Sequence, residues 1–239
     1  MNFDNTFSVI LALGPLALGM AWKFSNGSST TLKSIGLTVI GALAGGLVYM
    51  RSAFETEPSI LFLASAILLS GFCVILSQED TQQTSASHAS IMIILGLGLG
   101  VLLNQAIVSR IFLGGLLGYI AISQNRKQQN SFRTKIIFLH ITLAIILSLG
   151  SVFMGESLQM FASLFIAVTF LPLAPFHLPF SGTIKDAKVT LSSFWIVVWL
   201  VIGLAELTTL YSSLSTSMLF NLSLLALVSA GFASLASLV

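Results

Sequence analysis

The sequence predicts an all-α fold, a polytopic transmembrane helix bundle of about nine spans. Of the 239 residues, 56% are apolar and 8% are charged, and the mean hydropathy is +1.00. A soluble domain carries about 25% charged residues, so this composition excludes a soluble globular protein. The apolar runs are continuous and do not alternate as the strands of a membrane β-barrel do. The net charge of +2 is too small to attract nucleic acid, and a single cysteine excludes a disulfide within the chain.

The spans follow from the length of the apolar runs, because about 20 residues of helix cross the hydrocarbon core of a bilayer. The predicted spans are 7–22, 34–50, 59–77, 89–105, 108–123, 136–154, 158–176, 189–211 and 218–239. The connecting segments are short, so residues 1–239 are predicted to form a single transmembrane domain. The polar segment 78–89 is interpreted as a flexible linker.

The number of spans depends on residues 89–123, which form two short spans or one long span. A single span would bury Arg110 in apolar surroundings, which is costly, and nine spans are therefore favoured over eight. With nine spans the odd-numbered loops hold Lys23, Lys33, Arg126, Lys127, Arg133, Lys135, Lys185 and Lys188, whereas the even-numbered loops hold Arg51 and Arg110. Because basic loops stay in the cytoplasm, we predict an inner (cytoplasmic) membrane protein with its N-terminus outside and its C-terminus inside. With eight spans the N-terminus would lie inside.

Three pairs of glycines stand four residues apart within predicted spans, which places both members of a pair on one helix face. The pairs are Gly41 and Gly45, Gly96 and Gly100, and Gly114 and Gly118. Glycine lets the backbones of two membrane helices approach closely, so these pairs predict helix–helix contacts. A solute path lined by bare backbone is the alternative interpretation.

Ionisable residues inside a bilayer are costly and therefore point to function. Glu206 is the only carboxylate well within a predicted span, His140 lies about one turn inside span six, and His177 lies at the end of span seven. These three are the candidate residues of a proton or ion path. No metal site is predicted, because the histidines lack ligand spacing and no acids cluster with them. No cofactor motif or nucleophile arrangement is present either, so the chain is predicted not to be an enzyme.

The segment from Phe170 to Lys188 contains Pro172, Pro175 and Pro179, three of the five prolines. Proline inside a helix removes a hydrogen-bond donor and clashes with the preceding turn, so span seven is predicted to break near its cytoplasmic end. Carbonyl groups freed there need a partner or a water-filled cavity. His177 lies in the break, where it would act as a proton relay or would simply hydrogen-bond a freed carbonyl.

The sequence Pro175-Phe176-His177-Leu178 at the end of span seven resembles a motif of the antiporter-like membrane subunits. This family occurs in respiratory complex I, Mrp sodium/proton antiporters, membrane-bound hydrogenases and DAB-type inorganic-carbon complexes. In that family a Pro-Phe-His motif interrupts the seventh helix, and the number and orientation of the preceding spans are similar here. The resemblance implies a subunit of an ion-coupled membrane complex.

The chain also departs from the family pattern. The family conducts protons through lysines in helices seven and eight and a glutamate on helix five. Here Phe170 occupies the lysine position before Pro175, span eight contains no lysine, and span five contains no acid. The chain also has fewer spans than a full member. It is therefore interpreted as a shortened relative that lacks the charges of the family's relay.

Three functional hypotheses follow. The first is an accessory or degenerate antiporter-like subunit that packs against a full-length ion-translocating subunit of a hetero-oligomeric complex, with a soluble cytoplasmic protein as a further partner. The second is a self-sufficient small permease or channel that uses Glu206 and His177. The third is an assembly or anchoring protein with no path through it. All three imply contact with the lipid bilayer and none with nucleic acid.

Overall fold

The computed structural model describes residues 3–24, 29–54, 56–78, 82–104, 106–125, 132–171, 173, 189–211 and 214–236. Within these ranges all regular secondary structure is helical, which confirms the all-α prediction. The nine described helices are α1 Phe3–Phe24, α2 Ser29–Phe54, α3 Pro58–Ser77, α4 Gln82–Leu103, α5 Ala106–Asn125, α6 Phe132–Gly150, α7 Glu156–Phe170, α8 Val189–Leu210 and α9 Thr216–Ala236. A short 3-10 turn, Ser151–Phe153, follows α6.

Six of these helices are long and apolar enough to cross a membrane. They contain the segments Thr6–Phe24, Thr30–Phe54, Pro58–Ser77, Ala86–Leu103, Lys135–Phe153 and Leu191–Leu210. The apolar parts of α5, α7 and α9 are shorter, at Ile107–Ile122, Leu158–Phe170 and Thr216–Ala230. Each described helix corresponds to one predicted span, and the long apolar helices support a multi-pass membrane protein.

Helix α4 lies at the centre of the bundle, where its apolar sequence is buried on nearly every side. Of the residues in Ala86–Leu103, 89% are buried, and α1, α2, α3, α5 and α8 all pack against this helix. Its most extensive contact is with α1. A Cβ atom on Gly96 would lie 2.7 Å from the backbone oxygen of Ala12, and one on Gly19 would lie 2.7 Å from that of Ala89. Glycine at these two positions therefore allows the backbones of α1 and α4 to touch.

Of the other glycines predicted to make helix contacts, two face a neighbouring helix and three do not. Gly100 faces the ring of Phe112 on α5, and Gly114 faces the side chain of Leu149 on α6. Space is open around Gly41, Gly45 and Gly118, where an added Cβ would meet nothing within 4 Å. The glycine pair of α2 therefore makes no close helix contact within the described chain.

Helices α5 to α8 form the second half of the bundle, in which α6 packs between α5 and α7 and α8 packs on α7 and α3. Trp195 and Trp199 of α8 are buried, and the ring of Trp199 lies 4.6 Å from that of Phe170 at the end of α7. Helix α9, in contrast, has no extensive packing contact with another described helix.

The ends of two helices differ from the predicted limits. Helix α4 begins at Gln82, within the segment predicted as a linker, because its Gln, Thr, Ser and Ala residues are compatible with a helix that extends beyond the apolar core. Helix α7 ends at Phe170, six residues before the predicted limit at 176, and Leu171 is extended with φ −86° and ψ 141°. An extended residue is expected directly before a proline, and Pro172 follows.

Candidate functional site

The best-defined polar contact between helices is an ion pair that joins α5 and α8. Nη1 of Arg110 donates to both carboxylate oxygens of Glu206, each at 2.9 Å. The side chains are only 19% and 6% exposed, respectively. Burial makes the pair energetically important, because a charge in this position needs a partner of opposite sign.

Arg110 also connects α5 to two further helices. Its Nη2 donates to Oγ of Ser163 on α7 at 2.9 Å, and its backbone oxygen accepts a hydrogen bond from Oγ of Ser148 on α6 at 3.2 Å. One residue therefore contacts polar groups on α6, α7 and α8, and the bonds to Glu206 and Ser163 fix the position of its guanidinium group.

The connection between α4 and α5 places Arg110 at this point. The last turn of α4 leaves carbonyl groups without helical partners, and two side chains satisfy some of them. Nδ2 of Asn104 donates to the Gly100 oxygen at 3.0 Å, and Oγ of Ser109 donates to the Val101 oxygen at 2.8 Å. Asn104 in turn accepts a hydrogen bond from Ser8 of α1 at 2.9 Å. Arg110 follows as the fifth residue of α5.

Two cavities meet at Arg110. The first, of about 390 Å³, is rich in oxygen-bearing side chains and is lined by Glu57, Ser59, Ile60, Leu63, Val101, Leu102, Asn104, Ser109, Arg110, Ala205, Glu206, Thr208 and Thr209. The second, of about 320 Å³, is lined by Ile107, Arg110, Ser151, Val152, Gln159 and Ser163. Both volumes fall at the lower end of the range for small-molecule sites.

The two cavities differ in charge. The described lining of the first cavity has two carboxylates, Glu57 and Glu206, and one guanidinium group, whereas that of the second has Arg110 and no acid. Glu206 is followed by four residues of α8, so the pair lies about 6 Å, or one helical turn, from the end of that helix. The guanidinium group of Arg110 thus lies between the first cavity, which has two carboxylates, and the second cavity, which has hydrogen-bond donors. Both cavities lie near one end of the bundle.

The structure brings Glu206 together with Arg110 and does not bring it together with His140. Nε2 of His140 lies 2.9 Å from Oγ1 of Thr169 on α7, and its ring lies 5.0 Å from that of Phe165. Thr169 is six residues beyond Ser163, a rise of about 9 Å along α7. The two polar contacts are therefore at different depths of the bundle.

The remaining predicted site residues are Pro172, Pro175, Pro179 and His177, and they lie outside the described residues. Within the described part of the chain, no group of three or more His, Cys, Asp and Glu side chains is arranged to hold a metal ion.

Arg110 was expected to flank spans four and five, but it lies within α5 as the partner of Glu206. A sequence signal for this role exists. Glu206 is isolated in an apolar span, and Arg110 is the one cation embedded in the apolar stretch 89–123. Because isolated charges at membrane depth are costly, these two residues are natural partners. Ser163 carries no such signal, since a serine is common in membrane helices.

No protein-family model matches the chain, and no curated protein or solved structure is significantly similar to it.

Proposed function

We propose that this chain is an accessory subunit of a larger, ion-coupled membrane complex, completed by the helices of a partner subunit. The observation that carries the proposal is the exposure of α9. Most apolar side chains in its described part, Thr216–Ala230, are exposed, and the helix has no extensive packing contact with another described helix. Helices in a bilayer associate through close packing, and the other described helices supply α9 with little of it. Contact with a second protein would supply that packing.

A groove between α2 and α3 supports the same proposal. It has a volume of about 520 Å³ and is lined by Ile40, Gly41, Ala44, Leu47, Val48, Arg51, Leu61, Ser65, Leu68, Leu69 and Phe72. Gly41 and Gly45 leave space beside the α2 backbone. Small residues in an apolar groove are typical of surfaces where another membrane helix packs.

The charge distribution favours an accessory role over an ion-translocating one. Glu206 is the only acid in the interior of a described helix, because Asp4 and Glu156 lie in the first turns of their helices. The positive charge of Arg110 neutralises the charge of Glu206. A relay of alternating charges is therefore not evident in the described helices. The ion-coupled character of the complex is inferred from the resemblance carried by Pro175, Phe176 and His177.

The experiment is purification of the tagged chain in mild detergent from its native host. We expect a multi-span membrane protein to co-purify in stoichiometric amount. Gly41→Leu fills the groove and should release this partner, whereas Gly14→Leu, at an open position on α1, should retain it. Purification of the unmodified chain without a stoichiometric partner would contradict the proposal.

A small permease remains the second candidate, because two cavities meet at the Arg110–Glu206 pair. It predicts that the chain alone moves ions in proteoliposomes and that Glu206→Gln abolishes this flux while the bundle stays folded. Flux by the lone chain would count against the accessory role, and unchanged flux in Glu206→Gln would exclude Glu206 as its coupling group.

A further inference from the structure

We infer that Arg110 and Ser163 form a binding site for a small oxyanion, a phosphate or carboxylate group, in the cavity bordered by α5 and α7. Among the described residues that line it, the cavity of about 320 Å³ has one cationic side chain and no acidic one. The Glu206 carboxylate lines the other cavity, on the Nη1 side of the guanidinium. An oxyanion on the Nη2 side would therefore meet hydrogen-bond donors and would lie away from the Glu206 carboxylate.

The hydrogen-bond inventory of Arg110 leaves donors for such a ligand. A guanidinium group has five N–H groups, and the bonds to Oε1 and Oε2 of Glu206 and to Oγ of Ser163 use at most three of them. Nη2 keeps a second N–H beside Ser163. Among the described residues, no acceptor is found for this N–H or for the Nε–H.

Ser163 provides a second donor at the same place. Its Oγ accepts the bond from Nη2, so its own O–H remains to donate, and no described acceptor receives it. The N–H of Arg110 and the O–H of Ser163 therefore adjoin at the wall of one cavity. Gln159, one helical turn before Ser163 on α7, adds an amide to the same wall. A charged donor beside neutral donors is the arrangement that binds carboxylate and phosphate oxygens most strongly.

The position of the cavity allows two sources for the oxyanion. It borders the connection between α6 and α7, near one end of the bundle, through Ser151 and Val152. A lipid phosphate and a free inorganic or organic anion share the chemistry that Arg110 and Ser163 recognise. The volume suits one such group and excludes a large solute.

The test uses the purified full-length chain and two probes. In detergent, inorganic phosphate is titrated at constant ionic strength against chloride, and the rise in the unfolding midpoint gives the apparent Kd. In nanodiscs, phosphatidylglycerol is compared with phosphatidylcholine by native mass spectrometry of retained lipid. Stabilisation by free phosphate identifies a soluble anion, whereas selective retention of phosphatidylglycerol without a phosphate effect identifies a lipid headgroup.

Ser163→Ala should weaken the binding of whichever probe is effective about tenfold, because a hydrogen bond to a charged group is lost. Ser109→Ala is the matched control, since Ser109 lines the other cavity and donates to a backbone oxygen. The double variant Arg110→Met/Glu206→Met removes both charges together and should abolish binding. The inference is overturned if neither probe binds, or if Ser163→Ala binds as tightly as the unmodified chain.

Discussion

Arg110 and Glu206 illustrate at the scale of single residues how a membrane bundle accommodates charge. Each side chain is costly to bury alone, and their contact at 2.9 Å converts two costly charges into one neutral pair. The pair links α5 to α8 near one end of the bundle. Its contribution is therefore visible mainly when one partner is removed and the other remains buried.

We expect Glu206→Ala to lower the free energy of unfolding by about 3 kcal/mol or more, because Arg110 would be left without its counter-charge. The double variant Arg110→Met/Glu206→Met should recover most of this loss. Unfolding in mixed detergent micelles measures both. Glu57→Gln is the control, since Glu57 lines the same cavity but is exposed, and it should change stability by less than about 0.5 kcal/mol. Equal losses in the single and double variants would show that the pair is not what stabilises this contact.

The contact between His140 and Thr169 should contribute less. Hydrogen bonds between membrane helices average about 0.6 kcal/mol, so a double-mutant cycle with His140→Phe and Thr169→Val should give a coupling of that size. The cycle is measured by the same unfolding experiment. If His140 belonged to an ion path shared with Glu206, Thr169→Val would also alter any flux that Glu206→Gln alters; we expect no such effect.

The candidate site was only partly predictable from the sequence. Glu206 could be identified because an acid in an apolar span is rare, but its contact with Arg110 depends on how the helices of the bundle are arranged. The isolated charges of Glu206 and Arg110 favour a pair between them, but the two residues are 96 positions apart and only tertiary packing brings them into contact. Ser163 and the two cavities depend on tertiary packing alone.

At the scale of helices, the length of the apolar runs was sufficient to predict the nine described helices, including the separation of α4 from α5. The separation was predicted from Arg110, because its charge disfavours one continuous span over residues 89–123. Helix ends were less predictable. Polar residues after Gln82 can continue a helix into the aqueous layer, where hydropathy falls although the backbone stays helical.

The contact between α1 and α4 leads to a prediction at the same scale. Gly96→Ala should lower the free energy of unfolding by about 1–3 kcal/mol, because the new Cβ would meet the α1 backbone at Ala12 and Leu16 and the two helices would have to separate. Gly45→Ala is the matched control, a glycine on a membrane helix with open space around it. It should leave stability of the isolated chain unchanged or slightly improved. Equal effects at the two positions would contradict the close approach of α1 and α4.

At the scale of the whole molecule, the helices connect through loops at two ends, and the Arg110–Glu206 pair marks one of them. The residues at this end include Glu57, Asn104 and Thr209, which line one cavity from the start of α3 and the ends of α4 and α8. Lys33 and Gln78 are bonded at 2.7 Å at the opposite end, between the start of α2 and the end of α3. Among the described basic residues, Lys23, Lys33, Arg133 and Lys135 lie near helix ends on that opposite side, whereas Arg51 and Arg110 lie near the Glu206 end.

The asymmetry of basic residues predicts that the Arg110–Glu206 end faces away from the cytoplasm. Replacing Cys73, the single cysteine, by alanine allows one reporter cysteine to be placed at each end. Ser215→Cys follows α8, whose end carries Glu206, and Lys135→Cys lies at the start of α6; both positions are exposed. A membrane-impermeant maleimide should label Ser215→Cys in intact cells and Lys135→Cys only after permeabilisation. The reverse labelling pattern would place the N-terminus in the cytoplasm and would open the oxyanion cavity to the cytoplasm. The same measurement therefore decides whether cytoplasmic or external anions can reach Arg110.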